Sequence, residues 1–171
     1  MRKLKPLRVK WRNLILPLTV SLIAIADQLS KAWVRANLAI GESVPESGLF
    51  HFTHVRNTGA AFGLFSGHSQ LLMAASISAV VILLIYAIFI YRRLPMLDHV
   101  VVKVGTGLIL GGTLGNLIDR MYFGYVTDFI GVGTFPIFNI ADSCITAGVI
   151  VFACFLIVQA KLMDVRDEQC V

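Results

Sequence analysis

Long apolar runs separated by short polar clusters set the rhythm of this chain. Crossing a hydrocarbon core takes about 20 helical residues. Four stretches meet that length or come close to it: about 14–33, 71–91, 100–118 and 140–160. The second, LLMAASISAVVILLIYAIFIY, holds no charge at all. Between the first two runs, the segment around 49–65 (LFHFTHVRNTGAAFGLF) alternates roughly between apolar and polar residues. Its aromatic and β-branched content favours a short strand-like piece at the membrane surface. Asn57-Thr58-Gly59 supplies a turn, because Asn and Gly tolerate positive φ. The expected architecture is an all-α polytopic membrane protein. It has four transmembrane helices and a small extracytoplasmic β-sheet between helices 1 and 2, and residues 1–171 form a single membrane-embedded domain.

Composition strengthens that picture. Hydrophobic residues make up 57% of the chain and charged residues only 15%, against about a quarter charged in soluble domains. The net charge of +5 is distributed as topology signals rather than as a nucleic-acid surface. Arg2, Lys3, Lys5, Arg8, Lys10 and Arg12 precede the first run, Arg92, Arg93 and Lys103 lie between the second and third, and Lys161 and Arg166 follow the fourth. The other side carries only Lys31, Arg35, Arg56 and Arg120. Both termini are therefore expected in the cytoplasm, with connections 34–70 and 119–139 outside. A competing pattern, a basic start followed by Ala24-Ile25-Ala26, resembles a cleavable signal peptide. It is disfavoured because the apolar run continues to Trp33.

Cys144, Cys154 and Cys170 form no CxxC or Cys/His cluster, so they read as small apolar filler, with neither a zinc site nor a disulfide framework. In the third run Gly107, Gly111 and Gly115 recur every four residues, a spacing that lets a neighbouring helix approach closely.

Polar residues beside the spans need a further reason, because ionisable groups in a bilayer are costly and face a cavity or a partner. Asp27 and Lys31 are four apart, so they share a helix face and can pair. That pair anchors a helix end or shapes a site. Asn116 and Arg120 are also four apart, with Asp119 between them, either as an ordinary pair with Arg120 or beside a site. The guanidinium of Arg120 can hold a carboxylate or peptide carbonyls. Asn57 serves its own turn or a ligand. Asn139 and Asp142 sit where helix caps occur. Asp128 has no such structural reason. Two carboxylates brought together near a low-dielectric boundary share a proton and can act as general base and general acid. A proton-coupled transporter, a non-enzymatic scaffold and a serine-type signal peptidase are the alternatives. The last needs a Ser–Lys pair, and Ser30-Lys31 are adjacent and point to different helix faces.

The blocks ADQLSK (26–31), RNTGAAFG (56–63), GGTLGNLIDR (111–120), VTDF (126–129) and FNIADS (138–143) together resemble the bacterial lipoprotein signal peptidases, or signal peptidase II. The resemblance implies a membrane-embedded aspartic endopeptidase with Asp128 and Asp142 as its dyad and no cofactor or metal. It would remove the signal peptide from diacylglyceryl-modified prolipoproteins, just before the lipidated lipobox cysteine. Asn57, Gly111, Gly115, Asn116, Arg120 and Asn139 would line or support the site, and Asp27 and Lys31 would support it near the membrane surface. The 49–65 segment would form the sheet that cradles substrate. The resemblance also implies the inner (cytoplasmic) membrane, an active site toward its outer face, contact with membrane lipid, and inhibition by the cyclic peptide globomycin. No nucleic-acid partner is implied, and oligomeric state is left open. Two departures stand out: a short segment between the acids, and Thr127 where relatives often carry an aliphatic residue.

Overall fold

The computed structural model describes residues 11–46, 48–59, 68–90 and 98–168. The basic residues at 2–10, Arg92, Arg93, the strand-like continuation at 60–65 and Cys170 lie outside the described residues. Among the described residues, four helices are long and apolar enough to cross a membrane. Helix α1 spans Ile15–Asn37, α2 Ser69–Ile85 with a π-helical turn at Tyr86–Ile90, α3 Val100–Phe123 and α4 Ile140–Glu168. The 24 residues of α3 extend about 36 Å, enough for a hydrocarbon core.

Three helices run further than the apolar runs suggested. Helix α1 continues past Trp33 to Asn37, α3 past Ile118 to Phe123 and α4 past Ala160 to Glu168. Hydropathy fades at Arg35 and Asn37, at Asp119 and Arg120, and at Lys161 and Asp164, yet the backbone hydrogen bonds of each helix continue through them. Burial here is inverted relative to a water-soluble helix. Leu18, Leu22, Ile25, Leu29 and Trp33 of α1 are exposed, while Asp27 and Lys31 are fully buried. The apolar stripe meets lipid and the polar residues meet protein.

Glycine brings the helices close enough for this. Helix α3 packs against α1, α2 and α4. Its Gly107, Gly111 and Gly115 face Thr19, Ile23 and Asp27 of α1, four-residue steps on both helices. On another face, a Cβ at Gly112 would come within 2.5 Å of the Ala141 carbonyl oxygen, and Gly105 and Gly148 meet across the α3–α4 seam. At the start of α3, Lys103 is buried, pairs with Asp98 and donates to the Arg12 carbonyl at 3.2 Å.

The connections build one four-stranded antiparallel sheet in the order β1 (Ser43–Val44), β2 (Phe50–Asn57), β3 (Val126–Val132) and β4 (Phe135–Phe138). Strand β2 comes from the expected segment 49–65, β1 precedes it in the same connection, and the other two strands come from the connection between α3 and α4. Pairing runs Phe52 opposite Ile130 and Val55 opposite Asp128, so β2 carries one extra residue between these pairs. That bulge turns both Thr53 and His54 inward. Thr53 and Ser43 bond through their hydroxyls at 2.7 Å, and His54 Nδ1 lies 2.9 Å from the Leu38 carbonyl oxygen. The parity change places Val55 and Asn57 on the same side of the sheet as Asp128. Val34, Leu38 and Phe129, flanked by Ile130 and Ile140, join the sheet to the end of α1.

Helix α3 ends on Gly124 at φ +77°, whose N–H reaches the Arg120 carbonyl at 3.1 Å, a left-handed cap that releases the chain into β3. Gly112→Ala should destabilise the protein by about 1–3 kcal/mol through overpacking at α4, measured by thermal unfolding in detergent. Gly124→Ala should cost about 1 kcal/mol, as a Cβ in left-handed backbone requires.

Candidate active site

The site is built from the ends of three elements. Strand β3 presents Asp128, α4 begins with Asn139 and Asp142, and the last turns of α3 contribute Asn116 and Arg120. All but Asn139 line a cleft of about 830 Å³ whose other walls include Asn57, Phe138 and Ile150.

Asn139 ties the two acids together. It stands just before α4, and its Oδ1 accepts the Asp142 N–H at 2.9 Å while Asp142 Oδ2 accepts the Asn139 N–H at 3.3 Å. This reciprocal arrangement is a capping box, so Asp142 does take part in capping α4. The Nδ2 of Asn139 then donates to Asp128 Oδ1 at 2.7 Å and to Asn116 Oδ1 at 3.1 Å. Asn116 Nδ2 in turn donates to Asp142 Oδ1 at 2.7 Å. The turn reading of Asn57 holds, since its Oδ1 accepts the Gly59 N–H at 2.8 Å, and its Nδ2 donates to Asp128 Oδ2 at 2.7 Å.

The carboxylates differ in setting. Asp128 is 2% exposed, and burial pushes its carboxyl up to about 6. The charge of Asp142 adds to the rise, while the amide donors of Asn57 and Asn139 and the charge of Lys31 oppose it. Asp142 is half-buried and sits in the first turn of α4. Arg120 lies within electrostatic reach of Asp142, Asp128 and Asp119.

The remaining expected residues sit behind the cleft. Asp27 and Lys31 form a buried ion pair of 2.7 Å, and Lys31 Nζ donates to Asn116 Oδ1 at 2.8 Å. Gly115 gives Asp27 room, since a Cβ there would strike its carboxylate. Gly111 faces Ile23 and the Val20 carbonyl on α1, so its place is in helix packing rather than in the cleft lining. Asp119 does not take Arg120 as its neighbouring pair. It is fully buried, 3.7 Å from Lys31 Nζ and 3.4 Å from Arg35 Nη1. The helical step explains this: Asp119 lies three residues after Asn116 and shares the face toward α1, whereas Arg120 points into the cleft. Gln28, Arg35 and Thr127 went unmarked as site neighbours. Thr127 is buried, donates its N–H to Asp119 Oδ2 at 2.8 Å and accepts from Arg35 Nη1 at 2.9 Å. The Thr127 hydroxyl therefore has a partner.

Residues 19–158 match the family model described as signal peptidase (SPase) II. The chain belongs to the signal peptidase II family. A lipoprotein signal peptidase of Dehalococcoides mccartyi is 53% identical over 157 residues, covering 92% of this chain and 98% of the relative. One from Moorella thermoacetica is 42% identical over 145 residues, covering 84% and 93%. Two bacterial membrane enzymes solved by the in meso method are similar in structure. One, at 2.3 Å resolution, has a TM-score of 0.69 at 35% identity over 88% of each chain. The other, at 1.9 Å, has a TM-score of 0.70 at 34% identity, covering 81% of this chain and 90% of that one. Membership of the signal peptidase II family makes this multi-pass membrane protein a protease, with the cleft at the sheet end of its helices as the candidate site.

Asn139→Ala removes a helix cap and the bridge to Asp128 together. Loss of the cap should cost about 0.5–2 kcal/mol, read by thermal unfolding in detergent.

Proposed function

We propose that the protein is a lipoprotein signal peptidase of the aspartic type, acting through Asp128 and Asp142. It removes the signal peptide of diacylglyceryl-modified prolipoproteins just before the lipidated cysteine. The observation that carries this reading is the bridge through Asn139, which holds a carboxylate from β3 and one from α4 over the same cleft. The lipoprotein signal peptidases of Dehalococcoides mccartyi and Moorella thermoacetica support the substrate class.

In this mechanism Asp142 is the ionised partner and Asp128 the protonated one. Water lies between them and the scissile carbonyl. As its oxygen attacks the carbonyl carbon, Asp142 takes a proton from the water and Asp128 gives its proton to the carbonyl oxygen. Collapse of the tetrahedral intermediate breaks the C–N bond. Asp142 then passes its proton to the departing amine of the lipidated cysteine, and Asp128 recovers one from the intermediate's hydroxyl. Arg120, Asn57 and Asn116 orient the peptide backbone. The apolar side chains of β4 and α4, Phe138 and Ile150 among them, accommodate the signal helix and the acyl chains. Globomycin competes for the same cleft. The asymmetry of Lys and Arg along the chain supports cytoplasmic termini and a cleft opening toward the outer face of the inner membrane.

Asp128→Asn and Asp142→Asn should each lower kcat by about 10³-fold or more, in a gel-shift assay with purified diacylglyceryl-prolipoprotein. Wild-type rates in either variant would overturn the reading. The pH dependence follows from the two roles. Activity falls as Asp128 loses its proton. The descending limb of kcat/KM should lie near the Asp128 value of about 6. That of kcat should lie higher, because bound peptide excludes water and disfavours the second charge. Cleavage followed from pH 4 to 9 tests both limbs.

A further inference from the structure

A second pair of carboxylates lies directly beneath the first. Asp27 Oδ1 accepts the N–H of Ala141 at 2.9 Å, and Asp119 Oδ2 accepts the N–H of Thr127 at 2.8 Å. Each of those peptide groups immediately precedes one of the cleft acids, Asp142 and Asp128. The inner acids are also joined to one another. Lys31 Nζ stands 2.7 Å from Asp27 and 3.7 Å from Asp119. Gln28 Nε2 lies 3.4 Å from Asp27 Oδ2, 3.2 Å from Asp119 Oδ1 and 2.9 Å from the Gly115 carbonyl. Lys31 and Gln28 are three apart and share one face of α1.

We propose that Asp27 and Asp119, linked through Lys31 and Gln28, are positioning residues that set the separation of Asp128 and Asp142. This rests on the reading of those two acids as the reacting pair. Each inner acid holds the backbone one residue before an outer acid through a single charge-assisted bond, so it limits where that outer acid can stand. Arg35 adds a second grip on residue 127 through the Thr127 hydroxyl. The outer acids ride on a strand and a helix, while their anchors ride on α1 and α3, which meet at Gly115. A displacement of about 1 Å in a reacting group can cost about 100-fold in rate.

Stability alone is a weak reason for the arrangement. Asp27, Lys31 and Asp119 are all fully buried, and a well-packed apolar replacement for a buried ion cluster is often no less stable. The peptide bonds that the two acids hold give the cluster a purpose that burial does not.

Asp119→Asn and Asp27→Asn, each in the full-length protein in detergent, should lower kcat about 10- to 100-fold with KM changed less than threefold. The charged groups facing Asp128 are Asp142 on α4, Lys31 on α1 and Arg120 on α3, while Arg56 of β2 stacks over Tyr125. Removing the Asp119 charge leaves Lys31 less neutralised, so Asp128 loses its proton more readily and the descending limb of kcat moves to lower pH. If Asp27→Asn does not fold, Asp27→Asn with Lys31→Met removes both members of the ion pair and should be folded yet similarly slow. Wild-type kcat in the folded variants overturns the proposal. So does a loss of activity that follows the folded fraction on thermal unfolding while the pH profile stays in place. If Asp128→Asn is inactive and Asp119→Asn is not impaired, only the positioning role fails. An active Asp128→Asn removes the acid-pair reading itself.

Discussion

Everything in this molecule is arranged around the requirement that a charge inside a membrane protein must have a partner. Lys31 meets that requirement for the whole site. It stands between Asp27 and Asp119 and reaches Asn116, so one buried cation joins α1 to α3. Helix α3 provides no Cβ at Gly115, where the Asp27 carboxylate comes close. Without that clearance the ion pair would have to move outward, and the donor chain from Lys31 through Asn116 to Asn139 would open.

From that anchor the polar groups form a continuous layer across the end of the bundle. Asn116 passes the connection from Lys31 to Asn139 and Asp142, and Asn139 carries it on to Asp128. Each amide uses both its oxygen and its nitrogen, so the buried polar groups of the layer satisfy one another. The same bonds that satisfy burial also create a difference between two chemically identical side chains. Asp142 has a helix N-terminus beneath it, whereas Asp128 lies in a strand with little access to water.

The sheet contributes by changing direction. The bulge in β2 places Asn57 beside Asp128, and the cap at Gly124 turns the end of α3 into β3. Both are short local features, yet they bring residues 57, 116, 128 and 142 to one cleft.

Much of this was legible in the chain. The apolar runs named the four helices because the length of a span is set by the bilayer, and alternation marked β2 because side chains in a strand alternate sides. The Asp27–Lys31 pair was readable because both residues lie on one helix, four apart. The two acids stood out because nothing local required Asp128. Other features depended on distance across the fold. Strands β3 and β4 lie in a segment too short and apolar to announce a sheet before it finds β2 as a partner. The ends of α1 and α3 lie beyond the apolar runs because hydropathy falls at Arg35 and Asp119 whether such a residue faces water or another helix. The partners of Asp119 and Thr127 sit on α1, 84 and 92 residues away in the chain. Composition and periodicity determine which residues can face lipid. Only tertiary packing decides which of the polar residues meet one another, because that depends on how closely the glycines let α1 and α3 approach.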